Sequence, residues 1–233
     1  MEELNFDVIV VGGGPAGSSA AHMAAKNGCT VALIEKEKEI AETVRTSGVT
    51  WISDIKKFGI PKECYNPIRK FSFCSPKNSV KISDEIAKAA VLDVRKTYRF
   101  LANRAKTSGS ELFTATNVTD VLKDASGKCV GVGAKSEGKQ IQFNSKVVID
   151  ASGFVSVIAK GLGYVNQWKK FGAGAEFEVK TEKLEHDNWW LMVGQEYSPA
   201  GYAWIFPTSK DTCLLYTSPS PRDLSTSRMP SSA

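Results

Sequence analysis

Residues 7–35 place three signals in an order that few folds accept. Asp7 to Val11 reads Asp-Val-Ile-Val-Val, an apolar run of strand length. Gly12-Gly13-Gly14-Pro15-Ala16-Gly17 follows without a gap, and an alanine-rich stretch continues to Asn27. Pro15 suits the first turn of a helix, and Gly28 suits the position just past its end. Thr30–Ile34 is a second apolar run, closed by Glu35. Strand, helix and strand within about 30 residues form a βαβ unit. Strands joined this way lie parallel, with a right-handed crossover.

The six residues from Gly12 to Gly17 fit G-x-G-x-x-G at the place where that spacing has a mechanical meaning. Gly12 permits a tight turn, Gly14 lets backbone approach a pyrophosphate, and Gly17 lets helix and strand pack closely. Ala21 and Ala25 continue that small face in steps of four. The helix start then offers free N–H groups and partial positive charge to phosphates. Glu35, 18 residues after Gly17, is placed to accept hydrogen bonds from ribose hydroxyls and to repel a 2′-phosphate. The pattern predicts a bound dinucleotide.

Composition narrows the rest. The 233 residues are 42% hydrophobic and 24% charged, which suffices for one large domain or two small ones. No run of 18 apolar residues is present, so no transmembrane helix is expected. The first residues lack the basic and long apolar regions of a secretory signal. Cys29, Cys64, Cys74, Cys129 and Cys213 are scattered, as expected of reduced thiols in a cytoplasmic protein. His22 and His186 are too few to build a metal cluster, so no metal is expected. The net charge of +5 is interspersed, as in Lys36-Glu37-Lys38-Glu39, which argues against a nucleic-acid partner. A mildly basic surface leaves room for peripheral contact with an anionic membrane.

Further along, turn signals at Gly59-Ile60-Pro61 and Asn66-Pro67 punctuate a stretch of loop and short helix from 36 to 66. Phe71–Ser75 and Ser79–Ser83 read as a hairpin around Pro76-Lys77-Asn78. Asp93–Ser108 reads as a helix ended by Gly109. Glu111–Thr114 and Asn117–Leu122 read as strands, and Gly127–Ala134 with Gln140–Phe143 as a hairpin. Val147–Ile149 is a short buried strand running into Asp150-Ala151-Ser152-Gly153. Gly172–Val179, Trp189–Val193 and Tyr202–Phe206 read as antiparallel, aromatic-rich strands. The expected domains are cofactor-binding parts at 1–67 and 93–165, and substrate-domain parts at 68–92 and 166–212.

From Cys213 the composition shifts. Residues 213–233 hold eight Ser/Thr and three of the nine prolines, as in a disordered tail. Reverse translation sharpens this. Cys213–Asp223 and Ser227–Ala233 can be written in codons that resemble the two ends of a short-read sequencing adapter, with Leu224-Ser225-Thr226 spanning the index. The expectation is that 213–233 is adapter-derived and that native sequence ends near Thr212. Such a tail would leave Tyr202–Phe206 as an exposed apolar edge strand.

The fingerprint alone does not separate FAD from NAD. FAD is favoured by the N-terminal position of the unit, by Arg95 at the start of a helix, and by Asp150–Gly153. The last resembles the second short motif of two-domain FAD oxidoreductases. With these in hand the chain resembles flavoproteins of the para-hydroxybenzoate hydroxylase fold. Pro199-Ala-Gly-Tyr202-Ala-Trp204-Ile-Phe206-Pro207 is similar to the Y-x-W-x-F-P motif of the geranylgeranyl reductase family. The resemblance implies an α/β architecture: a Rossmann-like FAD-binding domain interleaved with a β-rich substrate domain, the latter incomplete. It implies FAD contacts at Gly12–Gly17, Glu35, Lys36, Arg45, Thr46, Ser47, Gly48, Arg95, Asp150, Gly153 and the backbone near Val118. Tyr202, Trp204 and Phe206 would line the pocket for an isoprenoid chain. The implied activity is reduction of carbon–carbon double bonds in the prenyl chain of a lipid or pigment precursor. Electrons would come from NAD(P)H or a ferredoxin-type protein, and no second fingerprint identifies which. Thr46-Ser47-Gly48 departs from the family, where many members carry cysteine and glycine after the arginine, so any thiol role there is absent. No proton donor is identified. A flavin monooxygenase or halogenase acting on an aromatic, an electron-transfer flavoprotein passing electrons to quinone, and a non-catalytic dinucleotide-binding module are the rivals.

Overall fold

Val8, Ile9, Val10 and Val11 are all buried, so the first strand has no solvent face and belongs inside a sheet. The computed structural model describes residues 2–165, 174–181, 183–199 and 201–218. The first elements are β1 (Glu2–Val11), α1 (Pro15–Lys26), β2 (Val31–Ile34), β3 (Val49–Trp51), α2 (Ile52–Phe58), β4 (Tyr65–Ile68), β5 (Lys70–Cys74), β6 (Ser79–Ser83) and β7 (Ala89–Leu92). They are followed by α3 (Val94–Thr107), β8 (Ser110–Phe113), β9 (Thr116–Lys123), β10 (Cys129–Ser136), β11 (Lys139–Asp150) and α4 (Val157–Gly161). The last are β12 (Ala175–Lys180), β13 (Asn188–Val193), β14 (Tyr202–Pro207) and β15 (Thr212–Ser218).

One unit comprises Met1–Val44 and Arg95–Gln167. Its sheet runs β8-β2-β1-β11-β10-β9. β8, β2, β1 and β11 are mutually parallel, and β10 and β9 continue the sheet antiparallel. Alternation along β1 sends Val8 and Val10 to one face and Ile9 and Val11 to the other. The first face packs on Ala21 and Ala25 of α1 and Ala105 of α3. The second packs on Val118, Val132, Phe143 and Ile158. The expected break between Gln140–Phe143 and Val147–Ile149 is absent. β1 pairs with β11 through Asn5↔Asn144, Phe6↔Ser145 and Val8↔Val147, so the polar residues between the two apolar runs stay in the ladder.

The second unit comprises Arg45–Val94 and Trp168–Ala233. The expected boundary near Pro67 moves back to Arg45 because β3 and β4 both pair with β7 in a three-stranded sheet. Ile68, Ala89 and Val91 of that sheet share a core with Phe71 and Phe206. A six-stranded sheet runs β12-β15-β14-β13-β5-β6. Its pairings are antiparallel, as expected for Trp189–Val193 and Tyr202–Phe206, except β13 with β5, a parallel pairing that the sequence reading does not anticipate. Polar groups fix that junction. Arg69 and Lys70 pair with Asp187 at 2.6 and 3.2 Å, and Asn188 Nδ2 donates to Ser72 Oγ at 3.0 Å.

The expectation that Tyr202–Phe206 is an exposed edge strand also calls for correction. β15 lies between β14 and β12, with Ala203↔Thr217, Phe206↔Leu214 and Val179↔Cys213 in register. Tyr202–Phe206 therefore has neighbours on both sides. Cys213, Leu214, Leu215 and Tyr216 are apolar enough to form a strand, and the Ser/Pro composition dominates only beyond them. Residues 219–233, most of the stretch read as adapter-derived, lie outside the described residues. So does the start of the strand expected from Gly172.

Candidate functional site: a glycine-lined helix start and an aromatic sheet face

The turn from β1 into α1 is built by contacts that tolerate no side chain at two positions and leave a third open. Gly12 has φ +111°, and a Cβ there would run into the Ala151 carbonyl. A Cβ at Gly17 would run into the Gly12 carbonyl and meet Ala151 Cβ at 3.1 Å. At Gly14 a Cβ would meet nothing within 4 Å. Gly14 is the residue before the helix and carries no side-chain cap. Ser18 N–H closes the first turn on the Gly14 carbonyl at 2.9 Å. The N–H groups of Ala16 and Gly17 therefore have no acceptor within the helix. Open space beside Gly14, in front of a twelve-residue helix start, fits a dinucleotide pyrophosphate. Pro15 brings no N–H to that start and presets its backbone.

Sequence reading misses a lock beneath this loop. Ser18 is fully buried, and its hydroxyl donates to the Gly13 carbonyl at 3.0 Å. Its only signal is one hydroxyl on the small face of α1. Glu35 completes the turn. Its Oε2 accepts the Gly13 N–H at 2.7 Å, and its Oε1 accepts the Glu37 N–H at 2.9 Å. Glu35 is thus held at the end of β2 against the loop. Lys36 is exposed. Arg95, exposed in the first turn of α3, reaches the Glu42 carbonyl at 3.5 Å. One turn later Arg99 pairs with Glu39 at 2.6 Å and donates to the Ile40 carbonyl. Both arginines brace the 36–44 loop, whose Ile40 side chain lies against Gly13.

Asp150 ends β11 beside Val11. Its carboxylate accepts from Ser152 Oγ and from the N–H groups of Ser152, Ile158 and Ala159, the last two at 3.0 and 2.9 Å. Partial burial raises its pKa, but the Ser152 hydroxyl and those N–H groups outweigh it and hold the carboxyl below its ordinary value. Asp150 therefore shapes the 150–156 turn and caps α4. Ala151 and Ser152 back the Gly12 loop. Gly153 takes φ +69° with open space at its Cβ position, and opens a short 3-10 turn. The Val118 side chain is buried in the core, and its backbone pairs with Ala134.

The remaining expected residues lie in the second unit. Gly48 has φ +70°, accepts the Leu92 N–H at 2.9 Å, and would drive a Cβ into Val94 at 2.7 Å. Its own N–H reaches Thr46 Oγ1 at 3.4 Å. Arg45 and Thr46 are exposed, and Ser47 is half-buried. Tyr202, Trp204 and Phe206 share one face of β14. Their ring centroids are 5.1 Å apart for the first pair and 5.4 Å for the second. The row widens across neighbouring strands. Tyr216 stacks on Trp204 at 4.1 Å, Trp189 on Phe206 at 5.3 Å, and Phe71 meets Trp189 edge-on at 5.1 Å. Phe206 is buried, whereas Tyr202 is 46% exposed. The wall thus runs from core toward solvent. No helix among the described residues is long and apolar enough to cross a membrane.

Known proteins resemble this chain in sequence and in fold. A family model described as FAD dependent oxidoreductase matches residues 7–186. A digeranylgeranylglycerophospholipid reductase of Methanocaldococcus jannaschii is 34% identical over 216 residues, which cover 89% of this chain and 54% of that protein. Its namesake in Methanocella arvoryzae is 32% identical over 210 residues, 87% of this chain and 53% of the relative. The chain thus spans about half the length of these relatives. Among solved structures, a geranylgeranyl bacteriochlorophyll reductase-like protein of Thermoplasma acidophilum superposes with a TM-score of 0.86 at 25% identity, over 94% of this chain and 58% of that one. A flavin-dependent brominase superposes with a TM-score of 0.74 at 26% identity, over 97% and 58%.

Proposed function

The chain belongs to the FAD-dependent oxidoreductase family, and within it we propose that it is part of a reductase that saturates carbon–carbon double bonds in the prenyl chain of a lipid or pigment precursor. One observation carries the reading of the substrate. Tyr202, Trp204 and Phe206 form a continuous aromatic wall on one face of β14, as an elongated apolar chain requires. The names of the archaeal relatives point the same way.

FAD, when bound, supplies the hydride chemistry. The chain's own residues supply the rest. Gly14 leaves room for the pyrophosphate, and the start of α1 offers it N–H groups. Glu35 presents carboxylate oxygens to the adenosine ribose while it holds the Gly13 N–H. Ser18, Ile40 and the Asp150 turn keep that loop in shape before the cofactor arrives. The aromatic face excludes water from the substrate chain. Reducing equivalents come from NAD(P)H or a ferredoxin-type protein.

The test is anaerobic incubation of the FAD-loaded full-length parent protein with a geranylgeranyl lipid and dithionite, followed by mass spectrometry. Addition of two hydrogens per double bond supports the proposal. The brominase likeness gives the second reading, a halogenase or monooxygenase on an aromatic. Product formation that requires oxygen, with no hydrogen added to the lipid, would establish that reading instead.

A further inference from the structure

Two consecutive peptide planes of the glycine turn both direct their carbonyls under α1. In the first, the Gly13 N–H is held by Glu35 Oε2 at 2.7 Å, and the Gly12 carbonyl lies against Gly17. The second joins Gly13 to Gly14, and its carbonyl accepts the Ser18 hydroxyl at 3.0 Å. No peptide bond among the described residues is cis. In a trans peptide the carbonyl and the N–H point in opposite directions, so the Gly14 N–H is directed away from Ser18. Ser18 is fully buried and Gly14 is half-buried, which makes that direction outward. Among the described residues the Gly14 N–H meets no acceptor. The Cβ position of Gly14 is open as well.

The local chain does little to keep the second plane in this orientation. Gly13 and Gly14 both lack a Cβ, so half a turn of the plane between them meets little resistance. Such a flip carries Gly14 to positive φ, which glycine accepts. It also puts a carbonyl oxygen where the N–H was. An N–H binds a pyrophosphate, and the negative end of a carbonyl opposes it. The first plane is secured by Glu35. For the second, the Ser18 hydroxyl is the one group among the described residues that holds either end.

We infer that Ser18 is a positioning residue for the cofactor: through the Gly13 carbonyl it sets the 13–14 peptide so that the Gly14 N–H faces the pyrophosphate. It acts through the backbone and not by contact. This rests on the reading of the turn as the FAD site, and goes beyond it in assigning the orientation of one donor to one buried hydroxyl.

The test is equilibrium titration of the flavin-free full-length parent protein and its variants, well below their melting temperatures. The ligands are FAD and ADP-ribose, which keeps the pyrophosphate and adenosine and lacks the flavin. Ser18→Ala should lose about tenfold or more in affinity for both, the low end for a hydrogen bond to a charged group. Ser18→Cys keeps the shape with only a weak donor, and should fall between parent and Ser18→Ala. Ser110→Ala is the control. The Ser110 hydroxyl is also buried, and it donates to the Ala21 carbonyl of the same helix at 3.1 Å. Its loss should lower the melting temperature about as much as Ser18→Ala, yet leave both affinities within about twofold. Parent-like affinity in Ser18→Ala, or an equal loss in Ser110→Ala, overturns the inference while the cofactor reading stands. A parent that binds neither ligand removes the cofactor reading and the inference with it. If Ser18→Ala does not fold, Ser18→Cys decides: weakened binding supports the role of the hydroxyl, and parent-like binding overturns it.

Discussion

Two methyl-bearing substitutions three residues apart should have opposite effects. At Gly14 a Cβ enters open space, the backbone sits at φ −67° and ψ −177°, and no αL strain opposes a side chain. Gly14→Val therefore costs the unliganded fold only the difference between glycine and an apolar residue at a helix cap, about 0.5–1 kcal/mol. The same side chain fills the space that a pyrophosphate needs, so FAD affinity should fall at least about 100-fold, or 2.7 kcal/mol. At Gly17 a Cβ runs into the Gly12 carbonyl, with Ala151 Cβ at 3.1 Å behind it. Backbone must shift, and overpacking of this kind costs about 1–3 kcal/mol. In a chain of this size that is a melting drop of roughly 2–12 °C. The assay pairs circular-dichroism melts of the FAD-free proteins with fluorimetric FAD titration. Gly14→Val should melt near the parent and stay colourless, whereas Gly17→Ala should melt low. Parent-like FAD affinity in Gly14→Val would falsify the assignment of this space to the cofactor. Equal melting losses in the two variants would refute the packing argument.

Three other outcomes rest on the same geometry. Glu35→Ala removes the acceptor of the Gly13 and Glu37 N–H groups, so FAD affinity should fall by about 1–3 kcal/mol in the same titration. Glu35→Gln should recover part of that loss. Asp150→Asn weakens the cap of α4, and urea unfolding should show a loss of about 1 kcal/mol, the low end for a charged acceptor because the group is partly solvated. Asp7 is held at a pKa of about 2 by hydrogen bonds from the Thr30 N–H, then Lys146 and the Thr30 hydroxyl. Its folded value lies below its unfolded one, so its contribution is complete above the ordinary value of 3.8 and disappears as the pH falls through about 2. Unfolding midpoints measured across that window should drop less steeply in Asp7→Asn, and an unchanged slope would show that the contact contributes nothing.

The first strand, the glycine turn, α1 and β2 are legible in the sequence because their signals are local and agree: burial on both faces of Val8–Val11, small residues facing the strand, and an acidic residue closing the unit. The hairpin of β5 and β6 is legible for the same reason. The three-stranded sheet is not. β3, β4 and β7 are three or four residues each, and their pairings join Thr50 to Ala90 and Asn66 to Val91, which no local period reveals. The Asp150 turn reads as a cofactor motif, yet its carboxylate is directed to Ile158 and Ala159, a commitment set by where α4 begins. β15 is obscured by the Ser/Pro-rich residues beyond it, since composition averaged over residues 213–233 hides a strand at one end.

The pairing of β1 with β11 also sets a schedule for biosynthesis. The glycine turn leaves the ribosome first, but the strand that completes one side of β1 spans residues 139–150. At about 5–20 residues per second, that partner emerges roughly 7–30 seconds later. Meanwhile the 45–94 insertion has already been synthesised, and it contains all of β3, β4 and β7. Val8–Val11 must wait through this interval with one edge unpaired. The nascent chain is therefore most exposed to mispairing and chaperone capture before residue 150, and a pause just downstream would shorten that exposure relative to one within the insertion.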